Sequence, residues 1–245
     1  MGLPRVGYDN LLEQGTVTSS TTDFANAYDW LTHDAWTPGH NGWMITDIGF
    51  SEAADYLAIA VHDLATEAAT IKLQRWNGAA YDDVPGATIT PTSNRTYMVF
   101  FTQVAATKYR LWVTTDGDPV SIACVAFGTY LEMERGAQVG YTPAPYARVD
   151  RILDNWTNGG QLGGRSLVRS ASEGTLQMDM LTPAWVRASL DPFINLSRTQ
   201  GWFLSWDYEN YLDEPALCWT KTTPRPSYSS ESLMSVSIDY KARTE

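Results

Sequence analysis

Cysteine is nearly absent from this chain. Among 245 residues only Cys124 and Cys218 occur. Neither belongs to a CxxC pair, and both sit in apolar strand-like runs, IACVAF and ALCWT. A disulfide framework or a thiolate metal site is therefore not expected, and two buried free thiols are. Histidine is as scarce: His33, His40 and His62 lack metal-ligand spacing, so no metal is expected. Basic residues number 17 against 28 acids, a formal charge of −11. The part before Tyr130 carries 6 basic and 14 acidic residues, and the rest 11 and 14, so the deficit is −8 and −3. Such a surface disfavours anionic partners, and neither a membrane nor a sequence-specific nucleic acid is expected. Apolar runs of about 18 residues are missing, which predicts no membrane-spanning helix. The stretch MGLPRVGYDN holds no apolar h-region, so Sec-type export is not expected and the sequons at Asn94, Asn155 and Asn195 carry no weight.

Motifs for catalysis are missing as well. There is no GxSxG, no GxxxxGK and no HExxH. The glycine-rich GGQLGGR at 159–165 lacks phosphate-loop spacing and reads as a hairpin tip. An acidic stretch, DYENYLDEP from Asp207, holds four carboxylates, but a glycosidase needs two of them facing one sugar and nothing nearby supplies a cleft. We read it as a solvated loop, with a glycan-degrading enzyme as the weakest alternative. No catalytic residue, cofactor or enzymatic activity is expected.

What the chain does have is strand chemistry around one helix. Glycine (18), proline (12) and 12% aromatics favour many strands and turns. The helix is predicted over about 183–199. Thr182 supplies an N-cap hydroxyl, Pro183 suits the first helical position, and Val186, Leu190, Phe193 and Ile194 form one apolar stripe. Pro192 predicts a kink or break near Leu190–Asp191, and Gly201 a left-handed cap. Strands are predicted at Trp43–Ile48, Asp55–His62, Thr70–Trp76, Thr96–Phe101, Tyr109–Thr114 and Val120–Phe127, with turns at NG 77–78, PG 85–86 and DGDP 116–119. After a Gly- and Pro-containing boundary at 131–150, RVDRILDNW and GQLGGRSLVRS flank TNGG, a hairpin signal. The alternation in RVDRIL shows no clean apolar face. Such a hairpin is poorly fixed alone and calls for another chain. EGTLQMDM, WFLSW, ALCWT and LMSVSIDY supply the remaining strands.

Ser19–Ser20, Asn26–Ala27, Asp29, Trp36 and WMITDIG at 43–49 occur in an order similar to that of discoidin-like, galactose-binding-type jelly rolls. ADYLAIAVHD, ATIKLQRWNG, KYRLWVT and PVSIACVAFG follow in the matching order, over roughly residues 10–130. Asp29 is followed by Trp30 where that family carries glycine, a departure from its Ca²⁺ loop. A second resemblance covers nearly the whole chain. GR-S at 164–166, TPAWVR at 182–187, DPF at 191–193, FLSW, DEPALCWT and LMSVSIDYKA resemble the C-terminal part of siphovirus-type bacteriophage tail proteins. That resemblance implies a tail-tip or baseplate component related in role to distal tail proteins. Its partners would be copies of itself in a sixfold or threefold ring, adjoining tail-tube and tail-tip proteins, and a host-surface glycan. Its place would be the virion, after synthesis in the host cytoplasm.

The expected fold is mainly β: an N-terminal jelly-roll sandwich over 1–135, then a ring-forming sheet module over 136–245 with a long hairpin and one packed helix. Trp30, His33, Trp36, His40 and Trp43 are the glycan-binding candidates, because tryptophan faces stack on sugars and neighbouring polar groups bind hydroxyls. The bland reading makes those tryptophans core plugs. Arg148, Arg151, Arg165 and Arg169 flank the hairpin and are the candidate subunit-interface residues. The rival to a tail-tip ring is a carbohydrate-binding protein whose second module only oligomerises it.

Overall fold

The structure, a computed structural model, describes residues 2–244. Two antiparallel β-systems and one helix stack in layers, in agreement with the mainly-β expectation. The chain opens with β1 (Arg5–Gly7) and β2 (Thr16–Ser19). Next come β3 (Asn41–His62), β4 (Thr70–Trp76), β5 (Tyr81–Ile89), β6 (Tyr97–Thr114), β7 (Ile122–Gly128) and β8 (Tyr130–Glu132). β3 and β6 each unite two predicted strands. Their shared register breaks between Asp47 and Glu52, so each strand bends and serves two layers. The first half of β3 pairs with β2 and with the end of β6, which continues into β4 and β5; the second half pairs with the start of β6 and with β7. Met44, Leu57, Ile59, Ile71, Leu111, Val113 and Phe127 fill the space between those layers.

β5 was not legible as a strand. Pro85–Gly86 reads as a turn, yet it forms an irregularity inside β5, with Gly86 at φ +83 and the register against β4 shifting at that point. β5 is an outer strand, where proline costs no ladder bond.

The second system has the order β8-β1-β11-β12-β14-β10-β9. Here β9 is Arg148–Trp156, β10 Leu162–Leu181, β11 Trp202–Ser205, β12 Ala216–Thr220 and β14 Met234–Arg243; the two-residue β13 (Ser227–Tyr228) pairs with β14. β1 and β8 thus belong to this sheet, and the boundary read at residue 135 does not follow sheet membership. The sandwich is inserted between two neighbouring strands of the second sheet. One face of that sheet packs Phe203 and Leu217 on Tyr56, Ala58, Met98 and Ala126 of the sandwich. The other packs Trp202, Leu204, Cys218 and Ile238 under the helix. Both cysteines are free and buried, and burial pushes the Cys124 thiol up to about 12.

The helix runs from Pro183 to Leu196 without a break. Thr182 caps it, accepting from the Trp185 N–H at 3.4 Å, while Glu134 accepts from the Thr182 N–H and hydroxyl at 2.7 and 2.8 Å. Pro192 is absorbed by a π-helical stretch over Val186–Leu190, in which the Asp191 N–H reaches back five residues to the Val186 carbonyl. The wider turn accommodates a residue that has no N–H to give its own i−4 carbonyl. Val186, Leu190, Phe193 and Ile194 are buried as the spacing predicts. Gly201 does not cap the helix. Its φ is not positive, and a Cβ there would lie 2.7 Å from the Trp30 ring. The glycine lets the chain pass under that indole. Gly201→Ala should therefore destabilise the fold by about 1–3 kcal/mol in urea titrations, through overpacking rather than through helix propensity.

Candidate assembly surface

β9 and the first half of β10 form a hairpin with no packed face. Every residue from 148 to 170 is exposed, whereas Ser172, Leu176 and Met178 further along β10 are buried. At about 3.4 Å per residue the nine residues of β9 extend roughly 30 Å from the body. The tip turns through Thr157–Gln161, closed by the Thr157 N–H to Gln161 O at 2.8 Å, with Gly160 rather than Gly159 at positive φ.

Cross-strand register sorts the side chains into two faces. One carries Ile152 against Leu167, Asp154 against Arg165, and Trp156 against Leu162. The other carries Val149 against Ala171, Arg151 against Arg169, and Leu153 against Ser166. Large apolar groups stand in water on both: Trp156 is 60% exposed, Leu167 58% and Leu153 55%. Exposed apolar area on this scale marks an interaction surface. A two-stranded ribbon alone is marginal in water, so the hairpin holds its shape best when something covers it.

The four arginines predicted at this surface are all on the hairpin, but they act differently. Arg165 pairs with Asp154 at 3.3 Å; with the Arg165 side chain 60% exposed, the pair adds little stability. Arg148 donates to the Pro145 carbonyl. Asp150 accepts from the Ser170 hydroxyl at 2.5 Å. Arg151 and Arg169 face each other, and among the described residues neither is in salt-bridge contact with a carboxylate. Like charges directly opposite are unfavourable until an anion joins them.

The five glycan candidates do not form one site. Trp36 is wholly buried and donates to Thr21 Oγ1 at 3.0 Å; Trp30 is 7% exposed, donates to Glu13 and packs on Phe203 between the two β-systems. Neither offers a face to a sugar, and replacing Trp36 tests the core rather than a ligand. His33 is exposed and lies 3.1 Å from Asp34, His40 is exposed, and Trp43 is half-buried opposite Trp112. His62 is buried, its Nε2 donating to the Arg95 carbonyl at 2.8 Å, and burial lowers its pKa. Among the described residues no three metal-ligating side chains converge.

A different aromatic site lies at the seam. The Arg5 guanidinium sits 3.3 Å over the Tyr208 ring, 4.4 Å from Tyr130 and 4.8 Å from Phe100, and Arg5 pairs with Glu132 at 2.9 Å. Phe101, Thr92 and Asp213 extend this cluster into an open groove of about 1020 Å³. Sequence gave no sign of it, because Arg5, Phe100, Tyr130 and Tyr208 meet only through the insertion of the sandwich. In the adjoining acidic loop, Asp207 is buried and accepts from Asn210 at 2.8 Å, and Glu214 accepts from the Trp206 indole at 2.8 Å. Two of its four carboxylates thus serve the loop's own shape.

No family model matches the chain, and no curated protein matches it. Among solved structures, a pectin-binding carbohydrate-binding module is 20% identical, covering 46% of this chain and 89% of its own, with a TM-score of 0.38. A carbohydrate-binding module of AlyQ, in complex with 4,5-unsaturated mannuronic acid, is 20% identical over 49% of this chain and 96% of its own, at 0.38. Chitosan-binding module 1 of a Paenibacillus chitosanase/glucanase is 18% identical over 49% and 99%, also at 0.38. At these values the likeness settles neither ligand nor role.

Because residues 152–168 pack on no other part of their own chain, replacing them by a two-residue Asn-Gly turn between the paired Arg151 and Arg169 should leave the thermal midpoint within a few degrees of wild type. A calorimetric scan checks this; a large drop would mean that the hairpin supports the fold.

Proposed function

We propose that this chain is a structural, non-enzymatic protein that assembles with copies of itself through its hairpin. The observation that carries this is the strand pair at 148–170, exposed on both faces with Ile152, Leu153, Trp156 and Leu167 in water. The outer edge of β9 adds unpaired backbone groups, which a neighbouring strand or chain must cover. A contact made by different surfaces of identical subunits closes into a ring when its rotation divides the circle. The setting we assign is the tip of a siphovirus-type bacteriophage tail, with the sandwich turned outward; that setting rests on the sequence resemblance of residues 164–242.

Carbohydrate binding by the sandwich side is the second reading. It is supported by the open groove with Phe100, Phe101, Tyr130 and Tyr208 beside Thr92 and Asp213, where ring faces and hydroxyl-binding groups lie together. A sugar site here would use none of the five residues expected from sequence.

Electron microscopy of the purified full chain tests the first reading. Closed rings are expected for the wild type and single subunits for Ile152→Asp with Leu167→Asp, both folded by circular dichroism. Equal assembly of the variant would remove the hairpin from the argument. A glycan array on the same full chain tests the second, through a saturable signal lost in Tyr208→Ala.

A further inference from the structure

We propose that the outer face of the sheet β2-β3-β6-β4-β5 is a binding platform for an uncharged glycan chain. This rests on the carbohydrate reading above but puts the sugar elsewhere, on the layer of the sandwich that the second sheet does not touch. Alternation fixes which residues stand there. Met44, Ile71, Leu73, Leu111 and Val113 point into the sandwich core. Trp43, Ile45, Lys72, Gln74, Arg110 and Trp112 therefore point the other way, and cross-strand register sets them in rows. Trp43, Trp112 and Lys72 form one row, and Ile45, Arg110, Gln74 and Asp83 the next; Trp76 stands opposite Tyr81 where β4 turns into β5. The Arg110 guanidinium lies 4.4 Å from the Tyr81 ring and 4.8 Å from the Trp112 ring, and the Trp76 and Tyr81 centroids are 5.0 Å apart. An aromatic track from Trp43 through Trp112 and Tyr81 to Trp76 thus crosses β3, β6, β4 and β5, a width of roughly 14 Å at about 4.8 Å per strand.

A polar network holds this face in shape. Gln74 is 7% exposed; its amide oxygen accepts from Arg110 Nε at 2.6 Å, and its amide nitrogen donates to Asp83. Lys72 Nζ donates to the other Asp83 oxygen at 2.8 Å, and Lys108 pairs with Asp47 at 2.6 Å. The lysines and aspartates here therefore cancel in pairs, and the Arg110 charge rests against two rings. Such a face gives a charged partner no field to follow, in a chain whose own charge is −11. What it offers is ring faces and donors. The four buried tryptophans, Trp30, Trp36, Trp202 and Trp206, each donate the indole N–H to an acceptor within the chain. Trp43, Trp76 and Trp112 are half-buried, and among the described residues their indoles donate to nothing. Sugar hydroxyls accept from such donors, while the C–H face of the sugar ring lies on an indole. Ile45 is the one aliphatic side chain in the two rows, so the face lacks the apolar centre of a protein–protein contact.

Isothermal titration of the full chain with neutral hexasaccharides of glucose, N-acetylglucosamine, xylose and mannose tests this, with a galacturonate hexamer as the acidic arm. The wild type should bind at least one neutral sugar, and its indole emission should change as the site fills. Trp43→Ala and Trp112→Ala should each weaken that binding by about tenfold. Trp112→Phe should keep most of it, since a ring face suffices for stacking, and it serves as the working variant if Trp112→Ala does not fold. Thermal midpoints near wild type exclude misfolding. Binding lost in Tyr208→Ala and unchanged in Trp43→Ala and Trp112→Ala would put the sugar in the seam groove, overturning the platform and leaving the carbohydrate reading standing. Binding of the acidic hexamer alone would overturn the uncharged occupant. Self-association weakened by Trp112→Ala, with no sugar bound, would make this face a subunit contact and overturn the platform. Silence with every sugar would remove both the platform and the carbohydrate reading.

Discussion

An antiparallel strand pair satisfies half of its backbone groups and buries side chains only where another layer lies against it. In this molecule that condition holds along β10 from Ser172 onward, where β14 is alongside and the helix lies above. It fails abruptly before that point. The same strand continues with only β9 as neighbour and nothing on either face. The packed stretch anchors the unpacked one, which explains how a ribbon rich in exposed Leu, Ile and Trp keeps one register. The anchored ribbon is the physical basis for reading this chain as a component of something larger.

Three apolar interfaces give the rest its rigidity. The sandwich interior, the seam under Phe203 and Leu217, and the layer beneath the helix are separate clusters joined by strands that face two of them. β11 shows the economy of this arrangement: Trp202 and Leu204 point toward the helix, and Phe203 toward the sandwich. The consequence in sequence is a continuous apolar run, WFLSW, where a half-exposed strand alternates.

Periodicity made the helix legible, because Val186, Leu190, Phe193 and Ile194 are separated by three and four residues or lie side by side on one stripe. The N-cap was legible from Thr182 and Pro183 alone. Most strands were legible too, but not the joining of two into one at β3 and β6, because a bend in a long strand looks like a break in pattern. β5 was hidden by Pro85–Gly86, whose turn chemistry is met inside an outer strand. At the candidate surface the arginines and the lack of an apolar face could be read directly. The aromatic cluster around Arg5 could not. Its members lie far apart in the chain and converge only because the sheet collects β1 and β8. Trp30 and Trp36 misled for the opposite reason: an indole beside Asp and His looks like a platform until its neighbours bury it.

The chain leaves the second sheet after β1 and re-joins it at β8, directly alongside, with Gly7 opposite Tyr130. Everything between those two positions is therefore a detour that begins and ends at one point on the sheet. A different outer module with adjacent termini and an apolar patch to cover Phe203 and Leu217 fits the same gap without altering the order of the remaining strands. The sandwich is thus an excursion whose two ends meet on a single ladder, and the order of the remaining strands does not depend on what fills it.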